Sequence, residues 1–249
     1  MNLESITAGV IRAPLRIVVY GIEGVGKTTF AAFAPAPVFL CSEKGTAHLN
    51  VARFPVPSDW NAAFSAINEL ITREHNFQTL VLDSADWFER LASVAVAKEG
   101  GKQSIEGFGY GKGYAMVAER FQQLLAWLDA LSEQRGMNIV IIAHAKIEAF
   151  DDPTSDTYSR YTLATGKQIT PILKEWPDAV LFATYDKSIT TSGEGFRERK
   201  LAKSYGERIL FTEHRASHDA KNRWGLPERM PLNWQHFAAC LDAYYQNGN

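Results

Sequence analysis

Short, unbroken apolar runs alternating with amphipathic stretches specify an α/β fold: a three-layer arrangement with a mostly parallel central sheet between helices and a β-hairpin near the C-terminus. Two features carry this reading. The runs are β-branched and continuous, which suits strands buried on both faces, and such strands are joined in parallel by helical crossovers. Polar or glycine residues close several of them, with Gly21, Asp83 and His144 at three of the tips.

Leu15 to Tyr20 is the first strand, and Thr29 to Phe33 is the helix-forming run after the turn that follows. Val38 to Cys41 is the second strand, entered through Pro35 and Pro37. Ser58 is the expected N-cap of a helix through Arg73, with Phe64, Ile67, Leu70 and Ile71 on one face. Thr79 to Leu82 ends at Asp83, and Ala115 to Gln134 is a second amphipathic helix built on Phe121, Leu124, Leu125, Leu128 and Leu131. Asn138 to Ala143 ends at His144, and Ala179 to Tyr185 closes the series. Lys200 to Tyr205 and Arg208 to Glu213, separated by Gly206, read as a hairpin. Pro231 opens a terminal helix that turns Trp234, Phe237 and Leu241 inward. One domain is expected over residues 1–249, with a short N-terminal extension at 1–14 and mobile loops at 100–113, which holds six glycines, and 146–168.

Composition narrows the function classes. Hydrophobic residues at 46% and charged residues at 22% exclude disorder or a coiled coil for the whole. No apolar run approaches the roughly 18–20 residues of a membrane span, and the N-terminus lacks a basic flank followed by an apolar stretch, so a cytoplasmic location without membrane contact is expected. Cys41 and Cys240 alone make no disulfide framework. The 26 basic and 28 acidic residues leave a formal charge of −2, so any contact with nucleic acid needs a local basic patch or assembly.

The strongest local signal is Gly21-Ile22-Glu23-Gly24-Val25-Gly26-Lys27-Thr28-Thr29, which fits G-x-x-x-x-G-K-[ST] between a strand and a helix. Glycines let the backbone curl so that successive N–H groups face anionic oxygens. Lys27 is then placed for β- and γ-phosphates and the Thr28 hydroxyl for Mg²⁺. The alternative, a chance glycine-rich turn, is weakened by the correct flanks. Asp83, after four apolar residues, is the candidate second metal ligand, although an aspartate at a strand end also serves as a turn former.

The succession of phosphate loop, strand running to Glu43, strand ending in Asp83, glycine-rich excursion, helix and strand ending in His144 resembles the ATPase core of the RecA-like recombinases. It is similar in particular to the small phage proteins of that family that anneal single strands. The resemblance implies a Mg²⁺-dependent ATPase, stimulated by the single-stranded DNA it binds, that promotes annealing or homologous recombination and self-associates into a filament or ring. It implies that Glu43 orients the hydrolytic water, a role that suits a carboxylate on a strand tip; a solvated loop acid is the other reading. It places His144 where the family carries a phosphate sensor, commonly glutamine; a neutral imidazole still donates one hydrogen bond, while a lone histidine at a strand end also fits a structural role.

The same resemblance assigns DNA contact to Lys102, Phe108, Tyr110 and Lys112 in the first loop and to Arg160 and Lys167 in the second. Aromatic faces, cations and a glycine-rich backbone are what a sequence-tolerant strand binder needs, and ordinary surface loops are the plain alternative. Lys221 and Arg223 match the place where such proteins send cations into a neighbour's ATP site, where they stabilise transition-state charge; a basic surface loop or a contact to the chain's own phosphates are the alternatives. The spacing of His214, His218, His236 and Cys240 is zinc-like, but no second thiolate accompanies it, so Mg²⁺ is the expected metal. Two other functions stay open. One is a phosphate-loop kinase of a small acceptor, with Ile189 to Lys200 and its Arg197 and Arg199 as lid. The other is a nucleotide-switched binding module such as a helicase loader. No Asn-Lys-x-Asp segment supports guanine recognition.

Overall fold

Ile17, Val18, Val19 and Tyr20 are all fully buried, and a strand buried on both faces needs cover on both. The computed structural model, which describes residues 4, 6–41, 44–154, 156–192 and 199–247, supplies it with helices on either side of one sheet. Strand β1 (Arg16–Gly21) leads through a turn into α1 (Lys27–Ala32), β2 (Pro37–Cys41) and the short β3 (Ala52–Arg53). Next come α2 (Trp60–Thr72), β4 (Thr79–Asp83), α3 (Ala85–Glu99) and α4 (Lys112–Arg135), followed by β5 (Asn138–Phe150) and β6 (Tyr158–Leu163). The remainder is α5 (Ile169–Glu175), β7 (Ala179–Ser192), β8 (Arg199–Phe211), β9 (Lys221–Asn222), β10 (Arg229–Pro231) and α6 (Trp234–Gln246).

The strands lie in the order β10-β8-β7-β1-β5-β4-β2-β3, with β6 beside β5 and β9 beside β7. From β7 to β2 every neighbouring pair is parallel. Strands β8 and β10 add antiparallel pairs at one edge. Because β5 separates β1 from β4, Gly21 pairs with His144 and Asp83 with Ile142, which brings three tips out at one end of the sheet. On one face Val18, Tyr20, Leu82 and Ile141 pack against Ile67, Phe88 and Leu124 of α2, α3 and α4. On the other, Val19, Phe39 and Ile142 meet Phe30 of α1 and Trp234 and Phe237 of α6. No described helix is long and apolar enough to cross a membrane.

Several boundaries differ from the sequence reading. Asp59, not Ser58, caps α2, accepting from the Ala62 amide at 2.9 Å. Asn233 caps α6 in the same way, while Pro231 ends β10. The stretch 100–113 contains a 3₁₀ turn at Ile105–Phe108, and Phe108 packs so tightly on Gly100 that a Cβ there would lie 2.2 Å from its ring. The stretch 146–168 is largely a hairpin, not a loop, since β5 runs on to Phe150 and returns as β6. Its polar composition reflects the exposed end of that hairpin. The hairpin placed at Gly206 is also corrected: β8 is continuous and pairs with β7 from Phe182↔Phe211 to Ser192↔Arg199. Gly206, at φ 75, lies opposite a register shift between Tyr185 and Lys187, so its signal marks a bulge and not a turn. The tip joining β7 to β8, including Arg197, lies outside the described residues.

Gly21 is required by strand packing. A Cβ on it would stand 2.1 Å from the Ala183 carbonyl oxygen of β7. Gly21→Ala is therefore expected to destabilise the fold by about 1–3 kcal/mol in urea unfolding, and an unchanged midpoint would show that β7 yields freely.

Candidate functional site

The turn after β1 is built for close backbone curvature. Gly24 and Gly26 have φ of 71° and 104°, a region that side-chain-bearing residues rarely adopt. Beneath the curl, Lys27 is 6% exposed and its Nζ donates to the carbonyl oxygens of Gly21 and Ile22, each at 2.9 Å. Burial pulls its pKa down, and the charges of Asp83, Asp86 and Glu23 oppose that pull. The Thr28 hydroxyl donates to Asp83 Oδ2 at 2.8 Å. Burial pushes the Asp83 carboxyl up, against the Thr28 hydrogen bond and the Lys27 charge.

These groups open on a cleft of about 670 Å³ lined by Glu23, Gly24, Gly26, Lys27, Thr28, Thr29, Asp83 and His144. Its size suits a small organic ligand. Val25 is buried and packs in the core under α1, while Ile22 contributes its carbonyl to Lys27. The donor set fits a magnesium nucleotide. No group of three or more His, Cys, Asp or Glu able to hold a metal occurs among the described residues, and Mg²⁺ is commonly held by one or two protein oxygens plus phosphates and water. Thr28 and Asp83, joined by their hydrogen bond at the cleft, are the residues that would supply such oxygens.

His144 ends the parallel part of β5 and lines the same cleft. Its Nδ1 lies 3.0 Å from Asp86 Oδ1, and its backbone N–H donates to the same oxygen at 3.3 Å. Asp86 stands in the first turn of α3. The hydrogen bond that the His144 ring makes to the Asp86 carboxylate raises the His144 pKa against partial burial. Burial alone would raise Asp86, but the hydrogen bond and charge of His144, with Ser84, hold it at about 2. Residue Asp86 escaped the sequence reading, although its place three residues after Asp83 was visible. Arg208 escaped it too: it reaches the cleft only because β8 pairs with β7. Thr46 and His48, which complete the wall beside β2, carried no local signal.

Glu43 lies outside the described residues, while Cys41, Gly45 and Thr46 on either side of it line the cleft. Lys221 and Arg223 sit at the opposite end of the sheet, where Lys221 pairs with Val180. Lys221 donates to the Glu175 carbonyl oxygen at 2.8 Å and Arg223 pairs with Asp178 at 3.4 Å. Of the nucleic-acid candidates, Lys102, Tyr110, Lys112 and Lys167 are exposed, and Tyr110 wholly so. Phe108 is half-buried against Gly100. Arg160 pairs with Asp219 at 3.5 Å and covers the Phe150 ring. Tyr114 of α4, just after the first candidate stretch, and Lys167 line a common depression.

A parallel sheet, a glycine loop around a buried lysine and a threonine paired with a strand-tip aspartate define a P-loop NTPase, a nucleotide-binding class. Residues 13–224 match the AAA domain family, and the chain belongs to it. It is also 27% identical over 139 residues, 52% of its length, to the SPbeta prophage-derived uncharacterized protein YorG of Bacillus subtilis strain 168, and the match spans 40% of that protein.

The Asp86–His144 pair has a defined pH window. Stabilisation through His144 is complete below its ordinary value of 6.5 and is lost as pH rises through its raised value. Stabilisation through Asp86 is complete above 3.8 and is lost as pH falls through about 2. The His144 side chain is 41% exposed, so water screens part of the effect. Asp86→Asn is expected to lower stability more at about pH 5.5 than at about pH 8.5, read by urea unfolding at each pH; equal losses would assign the effect elsewhere.

Proposed function

We propose that the chain is a Mg²⁺-dependent ATPase, stimulated by single-stranded DNA, that self-associates into a filament or ring and promotes annealing or homologous recombination. The ATP half rests on one observation above all: the 2.8 Å Thr28–Asp83 hydrogen bond beside a buried Lys27. In this reading Lys27 binds the β- and γ-phosphate oxygens, and Thr28 and Asp83 hold the metal. Bound Mg²⁺ supplies positive charge to the transferring phosphoryl group. Glu43 accepts the proton of the hydrolytic water, and His144, held by Asp86, donates to a phosphate oxygen. Lys221 and Arg223, remote from their own cleft, serve a neighbouring copy.

Exposed Tyr110, Lys102, Lys112 and Lys167 support the DNA half, because stacking faces and mobile cations bind single strands without reading sequence. In it, Phe108 and Arg160 shape the surface on which the exposed groups act. The RecA-like resemblance supports the recombination step, and the prophage origin of the relative supports a phage setting.

ATP hydrolysis is expected to rise on adding single-stranded DNA and to lose that response as salt increases. A rate indifferent to DNA, together with no retention of labelled oligonucleotide at low salt, would overturn the DNA half alone. Lys27→Ala is expected to reduce turnover by about a hundredfold or more, whereas Glu43→Gln retains nucleotide and loses turnover; both are read by phosphate release and by binding of labelled ATP. Tyr110→Ala weakens oligonucleotide binding at all salts, while replacing Lys102 or Lys112 by Ala each flattens the salt slope by about 0.7.

A further inference from the structure

We infer that Arg208, carried on β8 of the same chain, is a further binding residue for the nucleotide's polyphosphate. The inference rests on the ATP-binding reading above and adds to it a cation supplied in cis. Arg208 pairs in register with Tyr185 of β7, next to the register shift between Tyr185 and Lys187. Bulges re-aim the side chains beside them. Here the result is that both side chains face the phosphate loop. The Tyr185 hydroxyl donates to the Gly24 carbonyl oxygen at 3.2 Å, and a Cβ built on Gly26 would lie 2.9 Å from Arg208 Nη1. Glycine at that position therefore leaves room for the guanidinium as well as permitting the turn.

The charge of Arg208 is available. Asp186, the neighbouring carboxylate on the bulge, is engaged with Arg229 at 2.5 Å, and among the described residues no side chain pairs with Arg208. Arg208 lines the cleft together with Lys27, Thr28 and Asp83. An arginine presents a planar fork of donors that matches phosphate oxygens two at a time. Lys27 is committed beneath the loop and Arg208 stands outside it, so the two cations reach a polyphosphate from different sides of the curl. A ligand with more phosphate charge gains more from such a pair, and Arg208 accordingly contributes to preference for tri- over monophosphate.

The test is calorimetric titration of the full chain and of Arg208→Gln and Arg208→Lys with ATP, ADP and AMP in Mg²⁺. Arg208→Gln is expected to weaken ATP binding by about tenfold, to affect ADP less and AMP hardly at all, with the melting temperature unchanged; Arg208→Lys recovers part of the loss. A structural role alone would lower the melting temperature and weaken the three ligands alike, which overturns the inference. Equal ATP affinity in Arg208→Gln and the unaltered chain also overturns it while leaving the ATP-binding reading intact. Failure of the unaltered chain to bind ATP overturns both.

Discussion

The hydrogen bond from Thr28 to Asp83 joins the first turn of α1, which follows β1, to the tip of β4, and those two strands do not touch because β5 runs between them. Its 2.8 Å length is possible only if all three strands keep their register. Burial on both faces enforces that. Ile139 and Ile141 pack toward α2, α3 and α4, while Val140 and Ile142 pack toward α1 and α6. A slip of β5 by one residue would exchange these sets between two differently shaped cores. The same constraint fixes the level of His144 beside Gly21. Two hydrophobic layers thus decide where Lys27, Thr28, Asp83 and His144 meet.

Charge within the cleft is held ready by the same burial. Lys27 and Asp83 are each less favourable in their charged form than they are in water, and each is partly offset by the other. Their remaining hydrogen-bond partners are carbonyls and a hydroxyl. A buried ammonium whose direct bonds are to neutral oxygens gains from an arriving anion, and a buried carboxylate gains from an arriving cation. A magnesium polyphosphate brings both together, and oriented groups of this kind need little rearrangement when it does so.

The legible part of the site was the part written locally. The run from Gly21 to Thr29 and the strand ending at Asp83 each declare themselves within a few residues, and their chemistry follows from residue type. The succession of buried strands along the chain was legible for the same reason, since continuous β-branched runs need no partner to be recognised, whereas their order in the sheet was not. Contacts between distant segments were not. Arg208 enters the cleft through pairing with Tyr185, and nothing around Arg208 in the sequence marks it. Gly206 gave a genuine signal of unusual backbone that fits a bulge as well as a turn, and only the partner strand separates the two. At Gly100 the sequence suggested flexibility, whereas the missing Cβ makes space for the Phe108 ring. Glycine marks close approach as readily as freedom, and composition alone does not tell them apart.

Helix α3 connects these regions physically. Its first turn carries Asp86, which fixes His144 at the cleft. One turn further on, Glu89 accepts the Gly166 amide at 3.0 Å and so anchors the start of the Lys167 segment. At its far end, roughly 22 Å away at 1.5 Å per residue over 15 residues, Gly100 receives Phe108 from the stretch that exposes Tyr110. Hydrogen-bonded carboxylates hold one end of this helix and a packed ring the other. Displacement of His144 by a phosphate would therefore bear on an element that also seats both exposed basic stretches. The helix thus contacts the Lys167 segment near the cleft and the Phe108 stretch at its far end, so both exposed stretches share one element with the His144 contact.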